Sequence, residues 1–298
     1  MYDIIIVGAG PAGLTAALYA LRANKKVLIF EAKSYGGQII NASKIENYPG
    51  IENISGFDYA TTLYNQVKNL NGEIKYETVT RVTENKEVFT SAGKYEAKAI
   101  IIATGSSNRR LNIENEKEYI GKGVSFCATC DGNFFKDKTV AVVGGGQTAI
   151  DDVIYLSNIV NKVYLIYRGE KLNEELNNIN KLNDISNLEM ILNTNVTKII
   201  GVDLLTGIET TDKNNNKNTI NIDGLFIAVG QEPKNEIFSN VVDLNERGYI
   251  ETTDGVHTKT EGIYVAGDTR VKELRQLTTA VADGSIAATI AIKEMKNQ

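Results

Sequence analysis

The feature that most limits the fold of this chain is a glycine-rich turn set between a short apolar run and a helix-forming segment. Residues 4–7 read IIIV, residues 8–13 read GAGPAG, and residues 14–23 favour a helix. A second apolar run at residues 27–30 ends in Glu31. A strand, glycine turn, helix and strand within about 30 residues are typical of a dinucleotide-binding βαβ unit.

The same plan returns in the middle of the chain. Residues 140–143 predict a strand, residues 144–149 (GGGQTA) a turn, and a helix extends to about residue 158 before a strand at residues 163–167. Two such units in 298 residues predict an α/β chain with two doubly wound, Rossmann-like dinucleotide-binding domains. The last helix is expected near residues 274–293.

Charge and hydropathy exclude several classes of protein. Lys and Arg number 32 and Asp and Glu 37, so the net charge is −5, which argues against nucleic acid as a partner. No apolar run reaches the roughly 18 residues of a membrane-spanning helix, so no membrane partner is expected. The first residues, MYDI, lack a basic region and a cleavage site, so we expect no signal peptide and a cytoplasmic location. The Asn- and Lys-rich residues 173–221 are interpreted as solvated surface with a loop tip at 214–216.

The first glycine turn has the features of a dinucleotide site. Gly8, Gly10 and Gly13 permit a tight turn and a close approach of the backbone to a pyrophosphate. The N-terminus of the following helix offers N–H groups and a partial positive charge to the same anion. Glu31, at the end of the second strand, is placed to accept hydrogen bonds from a ribose hydroxyl. The plain alternative is a glycine-rich turn without a ligand.

The second glycine turn is less complete. Gly144, Gly146 and Ala149 match the pattern, but the strand that follows ends at Tyr167-Arg168. That position lacks the carboxylate of an NAD site and has one arginine where an NADP site needs several for the 2′-phosphate. Two interpretations stay open: a weak nicotinamide nucleotide site, or a domain that keeps the fold without the ligand.

The two cysteines of the chain form one motif, Cys127-x-x-Cys130, followed by Asp131. A zinc site needs four ligands, and two cysteines with the single, distant His257 do not supply them, so no metal is expected. Inert buried cysteines are the second interpretation. A redox dithiol fits best, because this spacing closes a small disulfide and lowers a thiol pKa. Asp131 is then a candidate to move the proton that disulfide exchange requires.

Two further residues are weaker candidates. Asp268 follows Gly267 after an apolar strand and ahead of a helix, where a carboxylate can meet a cofactor hydroxyl, although Gly-Asp is also a common turn. His257, between threonine and valine, is interpreted as a surface strand residue and not as a catalyst.

With these motifs assembled, the chain resembles the low-molecular-weight thioredoxin reductases over essentially its whole length. The resemblance rests on GAGPAG at 8–13, GGQ at 36–38, IENYPG at 45–50, ATG at 103–105, CATCDG at 127–132, GD at 267–268 and RQ at 275–276. It implies a flavoprotein oxidoreductase with FAD as cofactor, thioredoxin as partner and a homodimeric state. It also implies a discontinuous FAD-binding domain, residues 1–112 and 244–298, and an inserted NAD(P)-type domain, residues 113–243, that carries the dithiol.

The same resemblance assigns roles to single residues. It implies that Cys130 faces the flavin, that Cys127 attacks the partner disulfide and that Asp131 is the general acid. The FAD contacts that it implies are Gly8, Gly10, Ala12, Gly13, Glu31, Gln38, Asn47, Ala103, Gly105, Asp268 and Gln276.

One segment departs from the family pattern. Members that use NADPH carry His-Arg-Arg and a further arginine, whereas this chain has Tyr167 for the histidine, Gly169 for an arginine and Asn173 for another. Losing two guanidinium contacts to a phosphate costs roughly 3–6 kcal/mol, or about two to four orders of magnitude in affinity. NADPH and NADH are therefore doubtful cofactors. The chain is most similar to the ferredoxin-dependent flavin thioredoxin reductases of clostridia, which implies ferredoxin as the electron donor.

Three alternatives to this ferredoxin-driven reductase stay open. The same enzyme could use NADPH or NADH through a relaxed site, or the chain could be a flavin dithiol oxidase for a small-molecule dithiol. The third alternative is a non-enzymatic flavin-binding scaffold or redox sensor. Candidates for a basic patch that meets an acidic ferredoxin, with ordinary surface charge as their other interpretation, are Arg109, Arg110, Lys136 and Lys138.

Overall fold

The computed structural model describes residues 1–42 and 44–295, and within this range the chain forms two compact units. The first unit contains Met1–Ser107 and the described part of Glu232–Gln298. The second unit contains Asn108–Gln231. The chain therefore leaves the first unit once and returns to it.

The borders of the units differ from the expected domain borders at 112/113 and 243/244. Leu111 packs against the hydrophobic core of the second unit. Phe238, Val241 and Val242 are buried in a core of the first unit. The borders of the two units therefore lie at 107/108 and 231/232, in agreement with this side-chain packing. Glycine motifs carry no information about which core a neighbouring side chain joins.

The sheet of the first unit combines parallel and antiparallel strands. Its described strands are β1 (Tyr2–Val7), β2 (Val27–Phe30), β3 (Glu73–Lys75), β4 (Val79–Val82), β5 (Glu87–Thr90), β6 (Lys94–Ile102) and β17 (Ile263–Val265). Their order is β3-β2-β1-β6-β5-β4, and β17 pairs with the second half of β6. The strands β3, β2, β1, β6 and β17 are parallel, whereas β4 and β5 continue from β6 as an antiparallel extension.

The central strand β1 is covered on both faces. Ile4 and Ile6 belong to one hydrophobic core, and Ile5 and Val7 belong to the other. Strands that are buried on both faces read as continuous apolar runs and not as alternating ones. This burial explains the IIIV run before the first glycine turn.

Among the described residues, three α-helices accompany this sheet: α1 (Pro11–Arg22), α2 (Gly56–Asn69) and α5 (Leu277–Met295). The predicted ranges 14–23 and 274–293 for the first and last helices miss the observed first residues, 11 and 277, by three residues each, and the observed last residues, 22 and 295, by one and two. Helix α1 begins earlier than predicted because Pro11 suits the first helical position, where an N–H has no partner in the helix. Helix α5 packs closely along α1, since a Cβ at Gly284 would lie 2.2 Å from the carbonyl oxygen of Ala12.

The second unit contains a fully parallel sheet. Its described strands are β8 (Val124–Ser125), β9 (Thr139–Val143), β10 (Lys162–Ile166), β11 (Leu188–Ile191) and β15 (Gly224–Ile227). They lie in the order β11-β10-β9-β15-β8. Helix α3 (Ala128–Asp131) follows β8, and helix α4 (Gln147–Ser157) follows β9.

An antiparallel sheet occupies much of the segment that was interpreted as plain surface. It consists of β12 (Thr194–Gly201), β13 (Leu205–Asp212) and β14 (Lys217–Asn221). One face buries Val196, Ile199 and Ile208, while the intervening polar residues face outward. That half-polar alternation hid the strands, but the predicted loop tip at 214–216 does lie in the turn between β13 and β14.

Short elements complete the described chain. They are the 3-10 helices Gly37–Asn41, Gly132–Phe135, Ile179–Asp184 and Glu236–Phe238, and the two-stranded pair of β7 (Ser107–Asn108) and β16 (Gln231–Glu232). None of the helices in residues 1–42 and 44–295 has the length and apolar character needed to cross a bilayer.

Candidate functional site

The first glycine turn joins β1 to α1 and lies against the end of β6. Gly8 has φ +110°, and a Cβ there would lie 2.3 Å from the carbonyl oxygen of Ala103. A Cβ at Gly13 would lie 1.9 Å from the carbonyl oxygen of Gly8. Because no side chain fits at either position, the turn closes tightly. The N–H groups of the first turn of α1 are thereby held where an anion can approach them.

Glu31 closes the same turn from the end of β2. Its Oε2 accepts a hydrogen bond from the Ala9 N–H at 2.9 Å, and its Oε1 accepts one from the Lys33 N–H at 2.9 Å. Each carboxylate oxygen keeps a further lone pair, so both can also accept from a hydroxyl. The carboxylate is therefore held in place before any ligand is considered.

Other predicted contacts come together around this turn. Gln38 lies in the 3-10 helix Gly37–Asn41, and a Cβ at Gly37 would lie 3.2 Å from the Cα of Gly10. The Asn47 amide donates from Nδ2 to Oε1 of Gln276 at 3.1 Å. The fold thus brings Asn47 and Gln276 together from opposite ends of the chain, which the motif order alone did not show.

Asp268 follows β17 and has an oxygen without a partner. Its Oδ1 is buried and forms no hydrogen bond within the described part of the chain. Burial raises the pKa of this carboxyl, and the nearby charges of Lys272 and Arg275 oppose that shift. A buried acceptor without a donor costs about 1–3 kcal/mol and therefore marks a place where a ligand donor fits.

Asp283 on α5 supports the turn before Asp268, and no sequence motif indicated this residue. It accepts a hydrogen bond from the Gly267 N–H at 3.0 Å and pairs with Arg270 and Lys272 at 2.9 and 2.8 Å. Burial would raise the pKa of Asp283, but the hydrogen bonds from the two cations hold it below its usual value. The only sequence signal was a carboxylate among the small residues of one helix face.

Asn235 is a second residue that no motif indicated. It is fully buried, and its Oδ1 accepts hydrogen bonds from the hydroxyls of Thr269 at 2.7 Å and Thr104 at 3.3 Å. Its Nδ2 donates to the carbonyl oxygens of Gly248 and Thr269 at 2.9 and 3.0 Å. Asn235 therefore ties the segment after β6 to the segment after β17, and these segments carry Gly105 and Asp268.

The dithiol lies at the start of α3 in the second unit. A disulfide joins Cys127 and Cys130, whose Cα atoms are 5.3 Å apart, and both residues are half-buried. The Asp131 N–H donates to the carbonyl oxygen of Cys127 at 3.1 Å. Ser125, at the end of β8, donates from Oγ to Oδ2 of Asp131 at 2.6 Å. The fold therefore places a carboxyl beside a disulfide, as the redox interpretation requires.

The Asp131 carboxyl is suited to hold a proton. Burial raises its pKa, and the hydrogen bond from Ser125 lowers it in part. A carboxyl with a raised pKa keeps its proton at a higher pH than a free aspartic acid does. Such a group can supply a proton to a nearby thiolate.

At the second glycine turn, between β9 and α4, an aromatic side chain of the same unit packs against the backbone. A Cβ at Gly145 would lie 2.2 Å from Cε2 of Tyr167, and a Cβ at Gly169 would lie 2.5 Å from Cε1 of the same ring. The ring therefore lies between the two glycines. Gln147, the first residue of α4, donates to the Asn177 carbonyl oxygen at 3.1 Å and accepts from the Asn177 N–H at 2.9 Å.

Comparison with known proteins identifies the family. The pyridine nucleotide-disulphide oxidoreductase family matches residues 2–284. The chain belongs to this family. The match confirms the predicted fold class and the predicted enzyme class, an FAD-dependent disulfide oxidoreductase.

Relatives of this family member span nearly the whole chain. Thioredoxin reductase of Bacillus subtilis is 40% identical over 301 residues, which covers 97% of this chain and 93% of the relative. A 34.2 kDa protein of the rubredoxin operon of Clostridium pasteurianum is 36% identical over 296 residues, which covers 98% of this chain and 96% of the relative. The crystal structure of thioredoxin reductase from Streptococcus pyogenes superposes with a TM-score of 0.94 at 37% identity, covering 100% of this chain and 99% of the other.

The first unit of this oxidoreductase fits its FAD cofactor. The glycine turn at Gly8 leaves the N-terminus of α1 open to a pyrophosphate, and Glu31 is held at the end of β2. The buried Oδ1 of Asp268 needs a donor that the described residues do not supply, and a cofactor hydroxyl is such a donor. The residues present therefore agree with the family's cofactor.

Proposed function

We propose that this chain is a thioredoxin reductase in which the Cys127–Cys130 pair reduces the disulfide of thioredoxin, with ferredoxin as the electron donor. The observation that carries the reductase is the disulfide at the start of α3 beside the half-buried carboxyl of Asp131. Relatives that cover the chain at 40% identity carry the name thioredoxin reductase, which supports the same substrate.

The FAD-binding residues follow from the first unit. The pyrophosphate would lie at Gly8, Gly10, Ala12 and Gly13, and the ribose at Glu31. The remaining contacts of the cofactor would be Gln38, Asn47, Ala103, Gly105, Asp268 and Gln276. In this proposal the first unit is the FAD-binding domain, and the second unit is the NAD(P)-type domain that carries the dithiol. FAD, when bound, supplies a two-electron store that also accepts electrons one at a time.

At the dithiol, the chemistry is disulfide exchange. The Cys127 thiolate attacks one sulfur of the thioredoxin disulfide, a mixed disulfide forms, and the other thioredoxin sulfur leaves as a thiolate. Cys130 then attacks Cys127, which re-forms the disulfide of the enzyme and releases the second thioredoxin sulfur. The Cys127 and Cys130 thiols each lose one proton to water as they become the attacking thiolates. Each departing thiolate takes one proton from Asp131, and water reprotonates the carboxylate after each step.

The second glycine turn supports ferredoxin over NADPH. The ring of Tyr167 lies against Gly145, at the turn where the pyrophosphate of a nicotinamide nucleotide would approach. Gly169 and Asn173 provide no guanidinium for a 2′-phosphate, at a loss of roughly 3–6 kcal/mol. Both features reduce the affinity of this unit for NADPH.

An acidic ferredoxin would need a basic surface on this acidic chain. The four candidate residues have exposed side chains. Lys138 also lies over the ring of Phe135, with Nζ 5.9 Å from the ring centroid. Positive charge at an interface mainly raises the rate of association and makes it sensitive to salt. The candidates are Arg109, Arg110, Lys136 and Lys138.

The donor is tested by anaerobic bleaching of the bound flavin. Reduced ferredoxin is expected to bleach it within the mixing time of a turnover assay, whereas micromolar NADPH or NADH leaves it oxidised. Bleaching by NADPH or NADH at these concentrations would overturn the ferredoxin donor and favour a relaxed nucleotide site, to which the family's description points. Rapid turnover of small dithiols with oxygen and without thioredoxin would favour a dithiol oxidase.

The role of each cysteine is tested by trapping. With Cys130→Ser, a mixed disulfide is expected to accumulate between Cys127 and a thioredoxin that lacks its resolving cysteine and carries the remaining one as a disulfide with thionitrobenzoate, which leaves as the thiolate. Cys127→Ser is the matched control and should trap none. The reverse pattern would exchange the two roles. We also propose a homodimer, as the family resemblance implies, and sedimentation equilibrium of the FAD-loaded protein tests it.

A further inference from the structure

Ser125 occupies a position between the dithiol and its acid. Its Oγ donates to Oδ2 of Asp131 at 2.6 Å and accepts from the N–H of Cys127 at 3.0 Å. A hydroxyl has one proton and two lone pairs, so these two hydrogen bonds use its donor and one acceptor site. The same oxygen thus contacts Cys127, which begins the disulfide loop, and the carboxyl of Asp131, which directly follows the loop.

The main chain of Ser125 is itself held by the sheet. Residue 125 pairs with Phe226 in the parallel ladder between β8 and β15. Its side chain is almost fully buried, with 6% of the residue exposed. The hydroxyl therefore has a fixed location, and the Asp131 carboxyl is oriented relative to a strand and not only relative to the short helix α3.

Few groups other than Ser125 affect the pKa of the Asp131 carboxyl. Burial raises the pKa of Asp131, and the Ser125 hydrogen bond is the single opposing influence among the described residues. Helix α4 packs against this region, where a Cβ at Gly132 would lie 3.0 Å from Cε1 of Tyr155. One turn earlier on α4, burial and then the charge of Asp151 raise the pKa of Asp152 to about 7.

We infer that Ser125 is a positioning residue for proton transfer at the dithiol, a role that rests on the proposed thiol–disulfide exchange. Its hydroxyl proton occupies Oδ2 of Asp131, so the proton that Asp131 donates is carried on Oδ1. In each exchange step one S–S bond breaks and one forms, and the departing thiolate takes the Oδ1 proton. Asp131 is left as a carboxylate that the Ser125 hydroxyl stabilises, and water restores its proton.

The test is a half-reaction that needs no electron donor. The FAD-loaded protein is reduced with dithiothreitol, freed of excess reductant without oxygen, and mixed with oxidised thioredoxin, and exchange is followed by acid quench across pH. Ser125→Ala is expected to slow exchange about tenfold and to move the Asp131-dependent inflection upward by about one pH unit. Ser125→Thr, which keeps the hydroxyl, should retain the wild-type profile within about threefold. Asp152→Asn is the control for the neighbouring carboxyl on α4: an inflection of the pH profile that disappears in this variant belongs to Asp152 and not to Asp131.

A double-mutant cycle separates positioning from general support of the fold. In an Asp131→Asn background, Ser125→Ala is expected to add no further loss, because its effect passes through the carboxyl. An equal loss in both backgrounds, or an unchanged inflection, would overturn the inference. Where Ser125→Ala does not fold, Ser125→Gly and carboxyl-carbon NMR titration of Asp131 give the same comparison. A wild-type protein that fails to exchange with thioredoxin at any pH would instead contradict the proposed function.

Discussion

The ring of Tyr167 lies against Gly145, so close that a Cβ added to the glycine would come within 2.2 Å of ring Cε2. Tyr167 directly follows β10, Gly145 lies two residues after β9, and the two strands are adjacent in the parallel sheet. A position where a ligand's phosphate normally meets the backbone is thus in contact with an aromatic side chain of the same unit.

The contact predicts that Gly145→Ala is destabilising while Gly146→Ala is not. The first substitution forces the Tyr167 ring to move, at about 1–3 kcal/mol, whereas a Cβ at Gly146 meets no atom within 4 Å. Denaturant unfolding of the two variants measures the difference. In a Tyr167→Ala background the cost of Gly145→Ala should largely disappear, and an unchanged cost there would contradict the contact.

Restoring the nucleotide motif requires three substitutions at once. Gly169→Arg alone should destabilise the second unit, because its Cβ would lie 2.5 Å from the Tyr167 ring. Combined with Tyr167→His and Asn173→Arg, the same substitution should tighten NADPH binding by about two to four orders of magnitude. Isothermal titration calorimetry with NADPH and NADH measures the two affinities, and NADH is the control because it lacks the 2′-phosphate. Equal gains for both nucleotides would show that the arginines do not act on the phosphate.

Asp268→Asn is expected to stabilise the protein without FAD and to weaken FAD binding. The folded chain keeps the pKa of this carboxyl raised, so the wild-type apoprotein loses stability as pH rises above the ordinary aspartate pKa near 3.9. The amide has no charge to bury, so the variant's apoprotein should gain about 1 kcal/mol at neutral pH. Thermal unfolding of the apoprotein tests the predicted gain in stability, and fluorescence titration with FAD tests the predicted loss of affinity. Asp254→Asn is the control of opposite sign, because hydrogen bonds with His257 lower the pKa of Asp254.

Gly284→Ala should lower stability although alanine favours helices. The added Cβ would lie 2.2 Å from the Ala12 carbonyl oxygen, which is backbone and cannot turn aside, so a loss of about 2–4 kcal/mol is expected. Thr289→Ala, at an exposed position of the same helix, should be neutral or slightly stabilising. Chemical denaturation compares the two. A Gly284→Ala protein as stable as the wild type would mean that α1 and α5 can separate freely.

His257 should stabilise the end of α5 within a limited pH window. Hydrogen bonds with Glu294 and Asp254 raise the pKa of His257. The contribution is therefore fully present below about pH 6.5 and is lost as pH rises through the raised pKa. The pKa of Glu294 and of Asp254 is lowered, so their share is lost in acid. His257→Gln should lower the melting temperature by about 1–3 °C near pH 6 and by less at pH 9. An equal loss at both pH values would argue against the ion pair.

Local patterns predicted the parts of the site that depend on neighbours along the chain. Gly8 and Gly13 must be glycine because the turn leaves no room for a Cβ at either position, and the pair Cys127 and Cys130 can form a disulfide from its spacing alone. His257 was interpreted as a simple surface residue, whereas it joins Asp254 to Glu294 on α5. Glu294 is 37 residues away, and no local pattern indicates such a partner.

The sequence by itself determined the two glycine turns, the dithiol with its acid, and the weak second nucleotide motif, because each depends on residue types at short, fixed spacing. Only the tertiary structure decided which distant groups meet there. Asn235 links two segments of the first unit, Asp283 holds the turn before Asp268, and Ser125 reaches Asp131. The physical reason is burial: a polar side chain in a core must find a partner, and which partner is available depends on how the strands and helices pack.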